Sequence, residues 1–154
     1  MTNLCCEVLA ALTGKSLSTA ESCTGGGIGA ALTAIPGSSS VYKGGVISYC
    51  NEIKHRVLGV DDQLLISCGA VSAQVAQAMA VGTRELLQTD VAVSVTGLAG
   101  PGGDEFGNCV GTVFIGYADD SVALSRQFLF DGDRESVRTQ AVRAALQLIL
   151  EFQS

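Results

Sequence analysis

Apolar residues at Leu4, Val8 and Leu12 recur with helical spacing, which predicts an opening helix. A short strand fits Ser16 to Ala20. A glycine-rich turn then feeds an apolar helix that stops near Ile35, ahead of Pro36-Gly37. Gly45 to Cys50 alternates weakly and reads as a second strand. Asn51 is placed to cap a helix running through Val57 and closed by Gly59, and Asp61 to cap a further short turn. Ser72 caps a longer helix with a buried stripe of Val75, Met79, Gly82 and Leu86. Asp90 to Thr96 is almost continuously apolar with three valines, the pattern of a central strand covered on both faces. Gly97 to Gly107 predicts a loop. Val110 to Tyr117 and Val122 to Phe130 predict an antiparallel hairpin turning at Asp119-Asp120. Asp133 caps a last helix striped by Val137, Ala141, Ala144, Leu148 and Phe152. Helices interleaved with strands predict a three-layer α/β/α sandwich with a mixed, mostly parallel sheet and a C-terminal antiparallel hairpin. No repeat or linker interrupts residues 1–154, so one domain is expected.

Composition narrows the function. The 154 residues are 47% hydrophobic and 16% charged, which excludes a disordered chain, and the formal net charge is −6. An acidic surface disfavours nonspecific nucleic-acid binding, because phosphate contacts need surplus Lys and Arg. A local anion site needs only backbone amides and one or two arginines. The N-terminus lacks a basic run followed by an apolar core, and no apolar stretch approaches the ~20 residues that span a bilayer. A soluble cytoplasmic protein is expected. The six cysteines show neither a CxxC nor a Cys/His pair at metal-ligand spacing, so small buried thiols and no metal are expected.

Two glycine-rich turns at strand ends are candidate ligand loops. "TAESCTGGGIG" (Thr19 to Gly29) runs from strand to turn to helix, where backbone amides and the helix N-terminus favour a phosphate or carboxylate. It has neither Rossmann glycine spacing nor a Walker lysine, and helix capping by Thr24 is its plain structural use. "TGLAGPGGDEFG" (Thr96 to Gly107) is longer than packing alone needs. Between them lie Ser38, Ser39 and Ser40, which suit a turn after Pro36-Gly37, or hold a nucleophile if a base is near. His55 is the only histidine, and no orienting carboxylate is evident for it. Lys54 is the alternative base: in a first helical turn the dipole opposes its charge, and burial would lower its pKa further. Tyr49 ends the preceding strand, within reach of a proton relay.

Taken together these segments resemble the C-terminal domain family of the competence/damage-inducible protein CinA, which includes stand-alone nicotinamide mononucleotide deamidases. The resemblance is carried by "TAESCTGG", "IPGSS", "GGVISYCNEIK", "GAVS", "TGLAGPGG", "VGTVFIGYA" and "GDRESVR", in the family's order and over almost the whole chain. It implies an amidohydrolase with a serine nucleophile and a lysine base. Matching the serine after "PGS" places it on Ser39, and the "Y-x-N-x-x-K" stretch places the other two on Tyr49 and Lys54. Some family members lack the serine and are thought to be inactive, so the resemblance implies that this chain is an active one. Two positions depart from the family: Cys50 stands where serine is usual and Cys109 where proline is usual.

The resemblance further implies nicotinamide mononucleotide as substrate, nicotinate mononucleotide and ammonia as products, no cofactor, a role in pyridine nucleotide recycling, and a homo-oligomer. Neutral Lys54 would take the Ser39 proton, with amides near Gly37 to Ser40 or in the Gly97 to Gly103 loop holding the oxyanion. Thr24-Gly25-Gly26 and Arg138 are the candidate phosphate holders. Glu21 and Ser22 are candidates to touch pyridine or ribose, and Thr96, Gly97, Gly100 and Gly102 complete the expected substrate lining. The rival readings are a catalytically silent nucleotide-binding module and a thiol hydrolase using Cys23 or Cys50.

Overall fold

The computed structural model describes all of residues 1–154. In chain order the elements are α1 (Thr2–Ala11), β1 (Leu17–Glu21), α2 (Gly27–Thr33), β2 (Tyr42–Ile47), α3 (Asn51–Arg56), α4 (Asp62–Cys68), α5 (Ala73–Leu87), β3 (Val91–Gly97), β4 (Thr112–Ala118), β5 (Ala123–Leu129) and α6 (Arg134–Gln153). A 3-10 turn at Ser38–Ser40 precedes β2. One five-stranded sheet runs β2-β1-β3-β4-β5. β2, β1 and β3 pair in parallel, and β4 pairs antiparallel with β3 and β5. Only β4 is therefore reversed, and the three-layer α/β sandwich with a mixed sheet follows.

Alternation along the strands divides the core. Leu17, Val91, Val93 and Val95 face α1, α2 and α6, where they join Val8, Ile28, Leu32, Leu146 and Ile149. Ala20 faces the other way, with Val75 and Met79 of α5 and Leu58, Val60 and Leu65 from the α3–α4 region. By the same parity Ser22 and Thr96, just past Ala20 and Ser94, point to the α3–α5 side. The caps read from sequence form: Asp61 accepts from Gln63 N (2.9 Å), Ser72 from Val75 N (3.3 Å) and Asp133 from Ser136 N (2.9 Å).

Several expectations are corrected. β2 starts at Tyr42, earlier than Gly45, because its ladder with β1 runs from Leu17↔Tyr42 to Glu21↔Ile47. Asn51 is the first helical residue of α3 and extended Cys50 is the N-cap, so Lys54 falls in the last turn of this short helix, where the dipole does not oppose its charge, and burial is left as the cause of its lowered pKa. The short turn after Asp61 is a full helix, α4. Leu86 is exposed at 51%, so the α5 stripe ends at Thr83. Phe152 lies at the surface, stacked on Tyr117 with ring centroids 4.6 Å apart. All six cysteines are free, but only Cys5 and Cys23 are buried, whereas Cys6, Cys50 and Cys109 are exposed. No helix is long and apolar enough to cross a membrane.

Candidate active site

The C-terminal ends of β1, β2 and β3 lie side by side, and three connections leave from them. The Ser22 amide donates to Val95 O of β3 (2.9 Å), and the Ser48 amide to Glu21 O of β1 (2.9 Å). These bonds extend both parallel ladders one step past the strands. β2 then turns at Cys50 into α3, and that short helix carries Lys54 back over the end of β1. Its ammonium donates to Ser22 Oγ at 3.0 Å and to the carbonyl of Ser48 at 2.8 Å.

Lys54 is 1% exposed and Ser22 7%. Loss of hydration disfavours a charged amine, and burial lowers the Lys54 pKa from 10.5 to about 8, with Cys50 and Cys23 partly offsetting the shift. The amine is thus poised to lose its proton near neutral pH. Once neutral, it accepts from the Ser22 hydroxyl across the same contact. Burial likewise pushes the neighbouring Cys23 thiol up to about 11, so it is a poor thiolate at neutral pH and the thiol-hydrolase reading loses that residue.

The turn carrying Ser22 is held from both sides. Glu21, itself buried, accepts from Thr24 Oγ1 (2.7 Å), Ile28 N (2.9 Å) and Gly29 N (3.1 Å), so its carboxylate caps α2. The anion site expected at the start of α2 is therefore filled by the chain's own carboxylate. Gly25 and Gly26 adopt φ of +58° and +99°, which glycine allows at little cost, and the Gly25 amide returns to Ser22 O (3.0 Å). The amides of Cys23 and Thr24 make no backbone hydrogen bond. Arg138 reaches across from α6, donating through Nε to Cys23 O (2.9 Å) and through Nη2 to Thr24 O (3.2 Å).

The second glycine loop joins on the other flank. Thr96 is buried, and its hydroxyl donates to Ala70 O (2.8 Å). Gly97 packs too tightly on β4 for a side chain: a Cβ there would stand 2.7 Å from Val113 Cγ2. Arg134 donates to Gly100 O (2.7 Å) and to the exposed Tyr49 hydroxyl (3.0 Å), tying loop, β2 exit and α6 together. Gly102 is exposed at the loop tip.

Ser39 is not part of this assembly. It is exposed in the turn before β2, whereas Lys54 follows β2, and six strand residues at about 3.3 Å each separate the two ends. The expected Ser39–Lys54 encounter does not occur within the chain, because a strand carries its flanking loops to its opposite ends. The structure brings Lys54 to Ser22 instead. Tyr49 is near through Arg134, without a hydrogen bond to either. Ser22 as the partner of Lys54 and Arg134 as a link between loops are what sequence reasoning missed. The available signal was directional: Ser22 and Lys54 both follow strands that pair in parallel.

This arrangement matches a known family. A family model for the CinA C-terminal domain fits residues 2–153.

The chain belongs to the CinA C-terminal domain family.

Among CinA relatives, a protein of Pseudomonas putida called nicotinamide-nucleotide amidohydrolase PncC is 46% identical over 136 residues, covering 88% of this chain and 85% of its own length. A CinA-like protein of Synechocystis is 50% identical over 121 residues, 79% of this chain. The chain spans only 29% of that relative, and similarly small shares of the other larger CinA-like proteins. Crystal structures agree in fold. A competence damage-inducible protein A from Klebsiella pneumoniae superposes with a TM-score of 0.95 at 39% identity, covering 97% of this chain and 94% of that one. A competence/damage-inducible protein from Agrobacterium tumefaciens gives 0.95 at 38% identity, covering 99% and 95%.

Proposed function

We propose that this chain is an amidohydrolase that converts nicotinamide mononucleotide to nicotinate mononucleotide and ammonia, with Ser22 as nucleophile and Lys54 as base. The observation that carries the reading is the buried 3.0 Å contact between Lys54 Nζ and Ser22 Oγ. The name of the P. putida relative, which is matched over most of its length, supports the substrate class. Ser22 takes over the role that the family resemblance had suggested for Ser39.

Lys54 in its neutral form takes the Ser22 proton, and Oγ attacks the carboxamide carbon. The unpaired amides of Cys23 and Thr24, in the same turn, are the nearest oxyanion donors, each worth roughly 3–4 kcal/mol in such a role. Protonated Lys54 then gives its proton to the departing nitrogen, which leaves as ammonia. Water attacks the acyl-enzyme, Lys54 takes its proton and returns it to Ser22 Oγ, and nicotinate mononucleotide is released. Arg134, at the loop mouth with part of its guanidinium uncommitted, is the cation best placed for the phosphate.

The test is ammonia release from nicotinamide mononucleotide by the purified protein. Ser22→Ala abolishes it and Ser39→Ala leaves it within about twofold. Activity that survives Ser22→Ala overturns the nucleophile assignment. Ligand-dependent stabilisation with no ammonia from the wild type favours the silent binding module instead.

A further inference from the structure

We propose that the open cavity between α3, α4 and the second glycine loop takes the positively charged pyridinium ring of an N-ribosylated nicotinamide, with Phe106 as its stacking face and Glu105 beside its charge. The inference rests on the amidohydrolase reading above and adds which form of the ring this chain selects.

The cavity measures about 270 Å³. An apolar cavity of about 150 Å³ holds benzene, so one substituted aromatic ring fits with room for water. Its walls include Leu65, Val71, Leu98 and Phe106, and its only charged liners are Asp104 and Glu105. No lysine or arginine lines it, so it is a poor site for the phosphate and a good one for an apolar cation. Neither Ser22 nor Lys54 lines it, but its wall is linked to the pair through neighbouring residues. Asn51 lines it and begins the helix that carries Lys54. Ala70 lines it and accepts from Thr96 Oγ1, and Thr96 follows Val95, which accepts the Ser22 amide.

The aromatic wall is built into the fold. Gly69 has φ +78°, and a Cβ there would stand 2.6 Å from the Phe106 ring, so glycine leaves the slot against which one side of the ring lies. At 43% exposure, much of the ring remains uncovered. The loop that presents it is tied internally: Asp104 accepts from Phe106 N (3.1 Å), Asn108 N (2.9 Å) and Asn108 Nδ2 (2.8 Å). Asn108 Nδ2 also donates to Val71 O (3.1 Å), fastening the loop to the cavity wall. Asp104 is spent on this turn. Glu105, exposed and in no ion pair of the chain, keeps its carboxylate for a ligand.

A cation over an aromatic face gains attraction that a neutral ring lacks. Nicotinamide mononucleotide carries that charge on its ring. Its reduced, dihydropyridine form keeps the ribose, phosphate and carboxamide but has a neutral ring, so the two forms isolate the charge. Titration calorimetry of the Ser22→Ala protein with each form reads binding without turnover. The oxidised form should bind roughly tenfold tighter than the reduced one. Phe106→Leu in the same background should bring the two within about threefold, Phe106→Tyr should preserve the preference, and Glu105→Gln should weaken it a few-fold. Wild-type titrations at pH 6, where Lys54 is protonated, should repeat the preference with the native serine in place. Equal affinities, no binding of either form, or a preference that survives Phe106→Leu in a protein of unchanged melting temperature would each overturn the proposal. Ammonia release without ring discrimination sinks this pocket alone, whereas discrimination without ammonia release sinks the hydrolase reading and leaves the ring site standing.

Discussion

The molecule carries two serine–lysine neighbourhoods at opposite ends of one strand, β2. Before β2, Lys43 donates to the carbonyls of Ser39 (3.0 Å) and Ser40 (3.2 Å), with every partner exposed. After β2, Lys54 donates to the hydroxyl of Ser22 with both residues buried. The residue types are the same and the chemistry is not. Lys43 meets backbone oxygens in water. Lys54 meets a hydroxyl where hydration is lost, and burial alone moves its pKa by an amount that makes it a base. What separates a catalytic candidate from a turn here is which strand end the pair occupies, and what covers it.

The largest effects should come from breaking the buried pair. Ser22→Ala and Lys54→Met should each lower kcat/KM for ammonia release by on the order of 10³-fold or more, as losses of a nucleophile or its base do. Lys54→Arg should not rescue, because a guanidinium does not deprotonate in this range. With Lys54 titrating at about 8, wild-type kcat/KM should rise close to tenfold per pH unit below that value and level off above it. A flat profile between pH 6 and 9 in a protein with chemistry rate-limiting would remove Lys54 as the base.

The same amine sharpens the comparison through stability. Lys54 has a folded pKa of about 8 and an ordinary value of 10.5. Between these pH values the unfolded chain binds more protons, so stability from this group rises with pH across that window and is flat on either side. The shift corresponds to about 3 kcal/mol. Urea denaturation of wild type and Lys54→Met across pH 7–11 should show the wild type gaining by up to that amount. Taking the difference largely cancels Cys23, whose raised pKa works in the opposite direction above pH 9. An unchanging difference would mean that the buried amine is not desolvated as the structure places it.

Arg138 should matter less. It holds two carbonyls of the turn and touches neither Ser22 nor Lys54, so it acts by positioning. Arg138→Met should lower kcat by about tenfold with a small change in KM, the mark of a displaced reacting group. A large rise in KM at constant kcat would return Arg138 to the phosphate role expected from the sequence.

How far the sequence reads is decided by distance along the chain. The caps at Asp61, Ser72 and Asp133 act over two or three residues, and the valines of β3 announce a strand covered on both faces, so these elements are legible. "TAESCTGG" is legible as a site loop, but not the division of labour within it. Glu21 turns inward to cap α2 because its own helix start lies within reach. Ser22 meets a lysine 32 positions away because β1 and β2 pair in a particular register. Arg134 reaches Tyr49 over 85 positions. Local chemistry drew attention to Ser39 beside its serine run. Only strand direction reveals that Ser39 and Lys54 leave β2 at opposite ends.

The smallest effect expected is the most discriminating control. Ser39→Ala and Lys43→Ala remove the exposed pair, whose contacts are to backbone oxygens already open to water. Exposed contacts of this kind contribute within about 0.5 kcal/mol, and neither side chain lies at the Ser22 edge. Both variants should keep their melting temperature to within a few degrees, release ammonia at close to the wild-type rate and retain the pH limb near 8. Were Ser39→Ala alone to abolish turnover in a folded protein, the serine would have to reach the lysine of a second copy of the chain. Mixing Ser39→Ala with Lys54→Met subunits would then restore activity in mixed assemblies, which a site contained within one chain does not allow.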